Sequence, residues 1–188
     1  QSNINQFGAL AMAGCGSYSK IEGFGFIQVT CFSQALTTFI GQNLGAKEYD
    51  RAKKGALFGT ICGIGIAEVI GIAVFFFSPY LIAAFGGDQR AIEYGIAEAH
   101  TIALFYCLLA FSHCMAAIQR GAGRSIVPMF VMMLVWCGVR VTYISIVIRI
   151  IPVINVIYWA YPLTWFISSV IFLILFLKTD WIHGLEKQ

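Results

Sequence analysis

Ionisable side chains inside long apolar runs are the first candidates for chemistry in this sequence. Glu68 and Arg140 each lie near the middle of such a run, far from other charged residues in the chain. A charge at that depth in a bilayer is rare, and it marks an ion or substrate path unless a partner neutralises it. Two interpretations stay open: a site that couples transport to an ion, or a buried ion pair between Glu68 and Arg140.

A histidine and a tyrosine form the second candidate group. Tyr106 and His113 are seven residues apart, so a helix places them on one face. A histidine titrates near neutral pH and could relay a proton. The alternative is a structural histidine whose ring is held by its neighbours.

Polar residues also form a stripe along one helix face. At about 100° per residue, seven residues of the stretch 30–42 gather on one side, and apolar residues gather on the other. The seven are Thr30, Cys31, Gln34, Thr37, Thr38, Gly41 and Gln42. Polar groups are costly against lipid, so the stripe is expected to face a water-filled cavity or to form hydrogen bonds to another helix.

Patterns of catalysis are absent from the sequence. It contains no HExxH, no GxSxG and no paired intramembrane aspartates, and it lacks the aromatic and basic pattern suited to nucleic acid. The six cysteines show no CxxC or Cys/His spacing, which predicts packing residues instead of a metal or disulfide site. We therefore expect neither an enzyme nor a nucleic-acid-binding protein, and no metal or cofactor apart from a coupling ion.

The segment FIGQNLGAKEYDRAKKG (39–55) raises the question of a phosphate-binding loop. That loop needs the spacing G-x-x-x-x-G-K-[ST] after a strand. Here Gly41 and Gly45 are separated by three residues, Ala46 precedes Lys47, and Glu48 replaces the hydroxyl residue. The segment instead predicts a helix that ends near Gly45, followed by a basic interfacial stretch suited to anionic lipid headgroups.

The elements that must position these residues are membrane helices. Of 188 residues, 59% are apolar and 11% charged, with a mean hydropathy of +0.80, whereas soluble domains carry about 25% charge. Continuous apolar runs without alternation indicate helices of about 20 residues and exclude a β-barrel. The predicted spans are about 24–44, with a start as early as Ala9, then 56–77, 97–118, 126–148 and 153–177. The fold class is thus an all-α polytopic membrane protein.

Basic residues orient these spans. Eight of them fall on one side, namely Lys47, Arg51, Lys53, Lys54, Arg120, Arg124, Lys178 and Lys187, against Lys20, Arg90 and Arg149 on the other. Because basic connections stay in the cytoplasm, we expect the chain to start outside and end inside. The start QSNINQFG has no Met, basic stretch or apolar run, so we expect no signal peptide and a longer parent protein.

Small residues recur every fourth position in the second span. Gly55, Gly59, Gly63, Ala67 and Gly71 form this series. Such a ridge lets another helix backbone approach closely, so it predicts a packing surface and not a site.

Three motifs in this order resemble one transporter family. GQNLGAKEYDRAKKG resembles the cytoplasmic end of a helix in the multidrug and toxic compound extrusion (MATE) transporters, and FGALAMAG and QRGAGRSIVPM (119–129) fit around it. The motif residues are Gly41, Gln42, Asn43, Gly45, Ala46, Arg51, Arg120 and Gly121. Their order and separation match the family's carboxy-terminal lobe, as the tail of helix seven and helices eight to twelve.

The resemblance implies a twelve-helix secondary transporter with two six-helix lobes, of which this chain holds five full helices. It would export amphipathic or cationic drugs and toxic compounds in exchange for Na⁺ or H⁺ by alternating access. Its partners would be xenobiotics, membrane lipids and the amino-terminal lobe, in a bacterial inner membrane. The polar stripe would line the cleft between the lobes, with Thr30, Gln34, Thr37, Thr38, Tyr106 and His113 as cleft candidates.

Two departures from the family pattern stand out. Where some relatives carry an acidic residue in helix ten, this chain has Leu109, Ala110 and Phe111, and Gln28 stands where relatives often have proline. The alternatives are a lipid-linked sugar flippase of the same superfamily, with a more cationic cleft, an intramembrane enzyme, or a structural module that does not transport.

Overall fold

The described part of the chain is a bundle of antiparallel helices. The structure is a computed structural model that describes residue 4 and residues 7–182. Its α-helices are α1 (Ala9–Gly45), α2 (Tyr49–Ala83), α3 (Gln89–Ile102), α4 (Tyr106–Gly121), α5 (Ile126–Met132), α6 (Arg140–Ile150) and α7 (Asn155–Lys178). A 3₁₀ turn, Ala103–Phe105, joins α3 to α4, and a π-helix, Met133–Val139, joins α5 to α6.

Five helical segments of this part are long and apolar enough to cross a membrane. They are Ala9–Gly45, Tyr49–Ala83, Gln89–Gly121, Ile126–Ile150 and Asn155–Lys178. This confirms the predicted number and order of spans and the all-helical class. The second and third helical segments extend past the predicted spans 56–77 and 97–118, whereas α1 begins at Ala9, the early start that the sequence allowed. The basic stretch 45–55 lies mostly inside α2, and α1 runs unbroken through Gln28.

The first and third spans end in the same kind of turn. The N–H groups of Lys47 and Glu48 donate to the carbonyls of Leu44 and Asn43, at 3.0 and 2.8 Å. After α4, Gly123 and Arg124 repeat this pattern on Arg120 and Gln119. Such a turn needs a left-handed residue, normally glycine. Gly123 has φ +80°, but the equivalent residue after α1 is Lys47 at φ +59°.

Small residues of α2 form a packing ridge, as their spacing predicted. A Cβ added at Gly59 would lie 2.8 Å from Leu36 Cδ1, and one at Gly63 would lie 2.9 Å from Cys114 Sγ. At Gly71 the added Cβ would meet the carbonyl oxygen of Ala103 in the 3₁₀ turn. The ridge thus lets α2 approach α1, α4 and the 3₁₀ turn closely, which confirms the predicted packing surface.

Buried side chains form three clusters along the bundle. The cluster at the basic end contains Leu44, Ala52, Ile118 and Phe172, and a central cluster contains Tyr18, Tyr106 and Trp165. The third cluster, at the other end, contains Ala11, Cys15, Ile154 and Tyr158. Because α1 contributes to all three clusters, it runs along the core of the bundle and positions the candidate residues.

Candidate functional site

The polar stripe of α1 is divided between a helix contact and an exposed face. Ser33 donates from Oγ to the His113 carbonyl at 3.2 Å, and Thr37 donates to the Ala117 carbonyl at 3.3 Å. Arg120 Nη2 donates to Ser33 Oγ at 3.0 Å. Thr37 is therefore part of a hydrogen-bonded contact between α1 and α4, which is one of the two arrangements that the sequence left open.

The rest of the stripe faces outward. Cys31, Gln34, Thr38 and Gln42 are exposed, one above the other at helical spacing. Thr38 donates its hydroxyl hydrogen to the Gln34 carbonyl, and the half-buried Thr30 donates to the Phe26 carbonyl. These bonds stay within α1 and do not join the exposed face to another helix.

The motif residues make the crossing of α1 and α4 possible. A Cβ added at Gly41 would lie 3.4 Å from the Gly121 carbonyl oxygen, and one at Gly121 would lie 2.7 Å from the Thr37 carbonyl oxygen. Asn43 is buried and donates to the Phe39 carbonyl at 2.7 Å. The Arg51 guanidinium lies 6.0 Å from the centre of the Phe39 ring. Gly45 ends α1 and Ala46 caps it, so the motif fixes the geometry of this end of the bundle.

Glu68 binds the beginning of α4. Its Oε2 accepts a hydrogen bond of 3.0 Å from the Cys107 backbone N–H. The first N–H groups of a helix have no partner within that helix, and a carboxylate there is favoured by the helix dipole. The 3₁₀ turn creates this helix start inside the span, so Glu68 acts as a cap supplied by a neighbouring helix.

Arg140 has a different set of neighbours. Its Nη2 donates to Thr164 Oγ1 at 2.7 Å, and its guanidinium lies 4.2 Å from the centre of the Tyr161 ring and 5.7 Å from that of Trp136. Its Nε is buried without a hydrogen-bond partner. Glu68 and Arg140 form no ion pair with each other, because each is held by a separate part of the bundle.

His113 lies among aromatic rings. The centres of the Phe26 and Trp136 rings are 5.5 and 5.4 Å from that of His113, both in edge-on arrangements. The histidine Nε2 is buried without a partner. His113 is therefore packed inside the bundle and does not share the exposed face of Gln34 and Thr38.

Tyr106 leads to a polar cluster that the sequence reasoning missed. Its hydroxyl is 3.2 Å from that of Tyr18, and both residues are buried. Beyond Tyr18, Cys15 Sγ is 3.6 Å from the Tyr158 hydroxyl, which donates to the Tyr94 carbonyl at 3.3 Å. Glu98 lies in the same region, 3% exposed. Helical spacing could have predicted the burial of Glu98, since this residue belongs to the buried face of α3 with Ala91, Gly95, Ala99 and Ile102.

A second buried cluster joins α4 to α7. Ser112 Oγ is 2.9 Å from both Ser168 Oγ and Ser169 Oγ, and all three residues are buried. Ser169 also donates to the Leu108 carbonyl at 3.1 Å. The hydroxyls satisfy one another inside an apolar interface, so this cluster holds two spans together. Within residue 4 and residues 7–182, no three His, Cys, Asp or Glu side chains are grouped to hold a metal ion.

Comparison with known proteins places this bundle in a family. The family model described as MatE matches residues 2–144, which is most of the chain. The chain belongs to the MatE family of transporters. The resemblance in its motifs is thereby confirmed, and so is the interpretation of the chain as a multi-pass membrane protein.

Two curated relatives extend this comparison. Over 124 residues, 66% of this chain, this MatE chain is 29% identical to the probable multidrug resistance protein NorM of Thermotoga maritima. It is 24% identical over 144 residues, 74% of the chain, to the probable multidrug resistance protein YoeA of Bacillus subtilis. The matches cover only 27% and 30% of those relatives, so the matched part of the chain spans less than a third of their length.

Solved structures share the fold. A crystal structure of MATE in complex with MaD3S matches with a TM-score of 0.87 and 16% identity, over 94% of this chain and 40% of that one. An outward-facing multidrug resistance MATE transporter matches with a TM-score of 0.86 and 20% identity, over 95% and 40%. A Pyrococcus furiosus transporter, described as having a binding pocket of reverse polarity, gives 0.85 and 18%, over 94% and 39%.

Proposed function

We propose that this chain is the carboxy-terminal lobe of a secondary transporter that exports amphipathic or cationic drugs and toxic compounds in exchange for Na⁺ or H⁺. The MatE match over residues 2–144 is the observation that carries the proposal. The fold supports it, since five spans cover about 40% of a solved MATE chain. In this proposal residues 1–188 comprise the tail of helix seven and helices eight to twelve, and an amino-terminal lobe is the partner.

The exposed polar face of α1 supports a cleft between two lobes. Gln34 is exposed within the first span, where lipid would leave its amide unsatisfied, and Thr38 and Gln42 extend the polar face toward the end of α1. A water-filled cleft, lined on its far side by the second lobe, satisfies those groups without a fixed partner. An amphipathic cation can then exchange weak contacts with them, as alternating access requires two states of similar energy.

The orientation of the lobe is part of the same proposal. Most of the basic residues lie where α1, α4 and α7 end and α2 begins, while Lys20, Arg90 and Arg149 lie toward the other end. The basic end is then cytoplasmic in a bacterial inner membrane. Lys187, which was counted toward this end, lies outside the described residues.

A lipid-linked sugar flippase is a second candidate because of Arg140. Its guanidinium is half-buried, and its Nε has no hydrogen-bond partner, so it could bind a pyrophosphate oxygen. Drug export remains the better-supported proposal because both curated relatives are described as probable multidrug resistance proteins. Export of a cationic dye without movement of a lipid-linked sugar would separate the two.

The test uses the full-length protein, expressed in bacteria that lack their own drug pumps. We expect energised cells to export ethidium, and export to stop when the Na⁺ and H⁺ gradients are both dissipated. Export that persists without either gradient would contradict ion exchange, and the absence of any export would contradict drug transport.

A pair of threonine variants tests the exposed face. Thr38 and Thr60 each donate to the carbonyl four residues earlier, but Thr38 is exposed on α1 and Thr60 is buried in α2. We expect Thr38→Val and Gln34→Leu to reduce export severalfold at normal protein levels, and Thr60→Val to leave export unchanged. Export at the wild-type level by all three variants would show that this face does not contact the drug during export.

A further inference from the structure

Glu98 is a carboxyl group deep in the lobe that lacks a full set of hydrogen bonds. It is 3% exposed, and its Oε2 is buried without a partner. Glu68, by contrast, accepts a backbone hydrogen bond, and Glu22 is only half-buried. Burial of an ionised carboxylate without a partner is strongly unfavourable, so such a group is neutralised by a proton or a bound cation.

The described side chains around Glu98 do not supply a positive charge. From α1 the Cys15 thiol adjoins its carboxyl group, and the Glu22 carboxyl lies within electrostatic range. The tyrosines within that range are Tyr18, Tyr106, Tyr158 and Tyr161, from α1, α4 and α7. From α2, Ile82 packs at Gly95 on the same face of α3.

Basic groups near this end act elsewhere. His100 of α3 bonds the Phe75 carbonyl and stacks on the Phe75 ring. Arg140 donates to Thr164, and the carboxylate within its electrostatic range is Glu22. Lys20 lies 5.0 Å from the centre of the Phe85 ring. No described cation is therefore in place to neutralise Glu98.

A proton fits this site better than a metal ion. Na⁺ and other hard cations need several oxygen ligands in one shell, whereas the side chain that adjoins Glu98 is a thiol. The described residues contain no group of three His, Cys, Asp or Glu side chains that could hold a metal. A neutral carboxylic acid, however, is compatible with an apolar face and with hydroxyl and thiol neighbours.

A polar connection runs from Glu98 toward the surface. A surface cavity of about 370 Å³ lies between α3 and the start of α7, lined by Arg90, Glu93, Tyr94, Ala97, Ile154 and Asn155. The Tyr158 hydroxyl donates to the Tyr94 carbonyl and is 3.6 Å from Cys15 Sγ, and Cys15 adjoins Glu98. The cavity and this series of groups provide a short route for a proton between water and the carboxyl group.

We propose that Glu98 is the site at which this lobe binds and releases the proton that is exchanged for the drug. The inference rests on the proposed function and deepens it. An O–H bond forms at the Glu98 carboxyl with a proton taken from water, and the same bond breaks when the proton returns to water. Nothing is oxidised or reduced, and no other group is transferred.

The experiment uses the full-length transporter in proteoliposomes. Uptake of a cationic dye is measured with a pH gradient, with a Na⁺ gradient, and as dye-for-dye counterflow without either gradient. In Glu98→Gln, we expect pH-driven transport to fall by about a hundredfold, the size expected on loss of a proton-transferring group. Counterflow should persist, Glu98→Asp should restore part of the pH-driven transport, and the control Glu48→Gln, exposed in the turn after α1 at the other end of the bundle, should behave as wild type.

Several results would overturn the inference. If Glu98→Gln retains pH-driven transport at the wild-type rate, the inference is wrong. It is also wrong if a Na⁺ gradient but no pH gradient drives transport by the unmutated protein, although that second result would leave the proposed function intact. Failure of the wild type to move dye under every condition would contradict the proposed function itself.

A measurement on the wild type covers the case in which Glu98→Gln does not fold. Infrared difference spectra of the purified protein should contain a protonated-carboxyl C=O band that is lost when dye binds. Dye binding in weak buffer should release a proton. The absence of both signals would overturn the proposal.

Discussion

Replacement of Gly121 by alanine tests the role of the motif in helix packing. A Cβ at this position would lie 2.7 Å from the Thr37 carbonyl oxygen and 2.8 Å from Ile40 Cβ, both parts of α1 that cannot move alone. The variant must therefore push α4 away from α1. We expect the full-length transporter to lose stability.

The size of this loss follows from three terms. Overpacking of a tight contact costs about 1–3 kcal/mol. Separation of the helices weakens the bonds from Ser33 to the His113 carbonyl and from Thr37 to the Ala117 carbonyl, each worth about 0.5–1.5 kcal/mol. Alanine offsets at most about 1 kcal/mol through its better helix propensity. If both bonds are lost, these terms combine to a fall of about 1–5 kcal/mol in the free energy of unfolding.

Gly45 supplies a matched control. It is a second motif glycine at a helix end, but a Cβ added there has nothing within 4 Å. In a thermal-stability assay in detergent, monitored by size-exclusion chromatography, Gly121→Ala should lower the Tm by several degrees, and Gly45→Ala should leave it equal or slightly higher. Equal Tm values for the two variants would refute the reasoning, because they would show that the crossing tolerates a methyl group.

Two further predictions concern other features of the bundle. Lys47→Gly should raise the Tm, because a left-handed non-glycine residue costs about 1–2 kcal/mol. Gly123→Lys at the equivalent turn should lower the Tm. An unchanged Tm for Lys47→Gly would show that the turn is not strained. In a variant without native cysteines, Arg90→Cys should react with a membrane-impermeant maleimide on intact cells and Lys54→Cys only after lysis, whereas the reverse pattern would invert the proposed orientation.

Much of the fold could be predicted because membrane spans leave a strong signal. Hydropathy gave the number and order of the helices, and four-residue spacing gave the small-residue ridge of α2. The motif glycines could be located but not explained, since the approach of Gly41 to Gly121 is visible only in three dimensions. The starts of α2 and α3 lie outside the predicted spans because both helices begin in polar residues before the apolar run.

The candidate site was harder to predict for a physical reason. In a bilayer the lipid-facing side chains are as apolar as the packed ones, so hydropathy does not distinguish the two faces. Tyr18 is buried, yet its neighbours in sequence look no different from those of exposed residues, whereas the burial of Glu98 agrees with the helical spacing of α3. The Cys107 N–H is available to Glu68 because a new helix starts after the 3₁₀ turn at Ala103–Phe105, and no residue pattern predicts that turn.

The π-helix at Met133–Val139 fixes the number of residues before Arg140. A π turn holds an extra residue compared with a regular helix, and each residue rotates a helix by about 100°. Deletion of that extra residue would return the segment to regular helix with Arg140 still facing Thr164 and Tyr161, whereas a deletion in the regular helix beside it would turn Arg140 toward the exposed side of the least buried span. The π-helix thus accommodates one extra residue before Arg140 without changing which way this charge points inside the membrane.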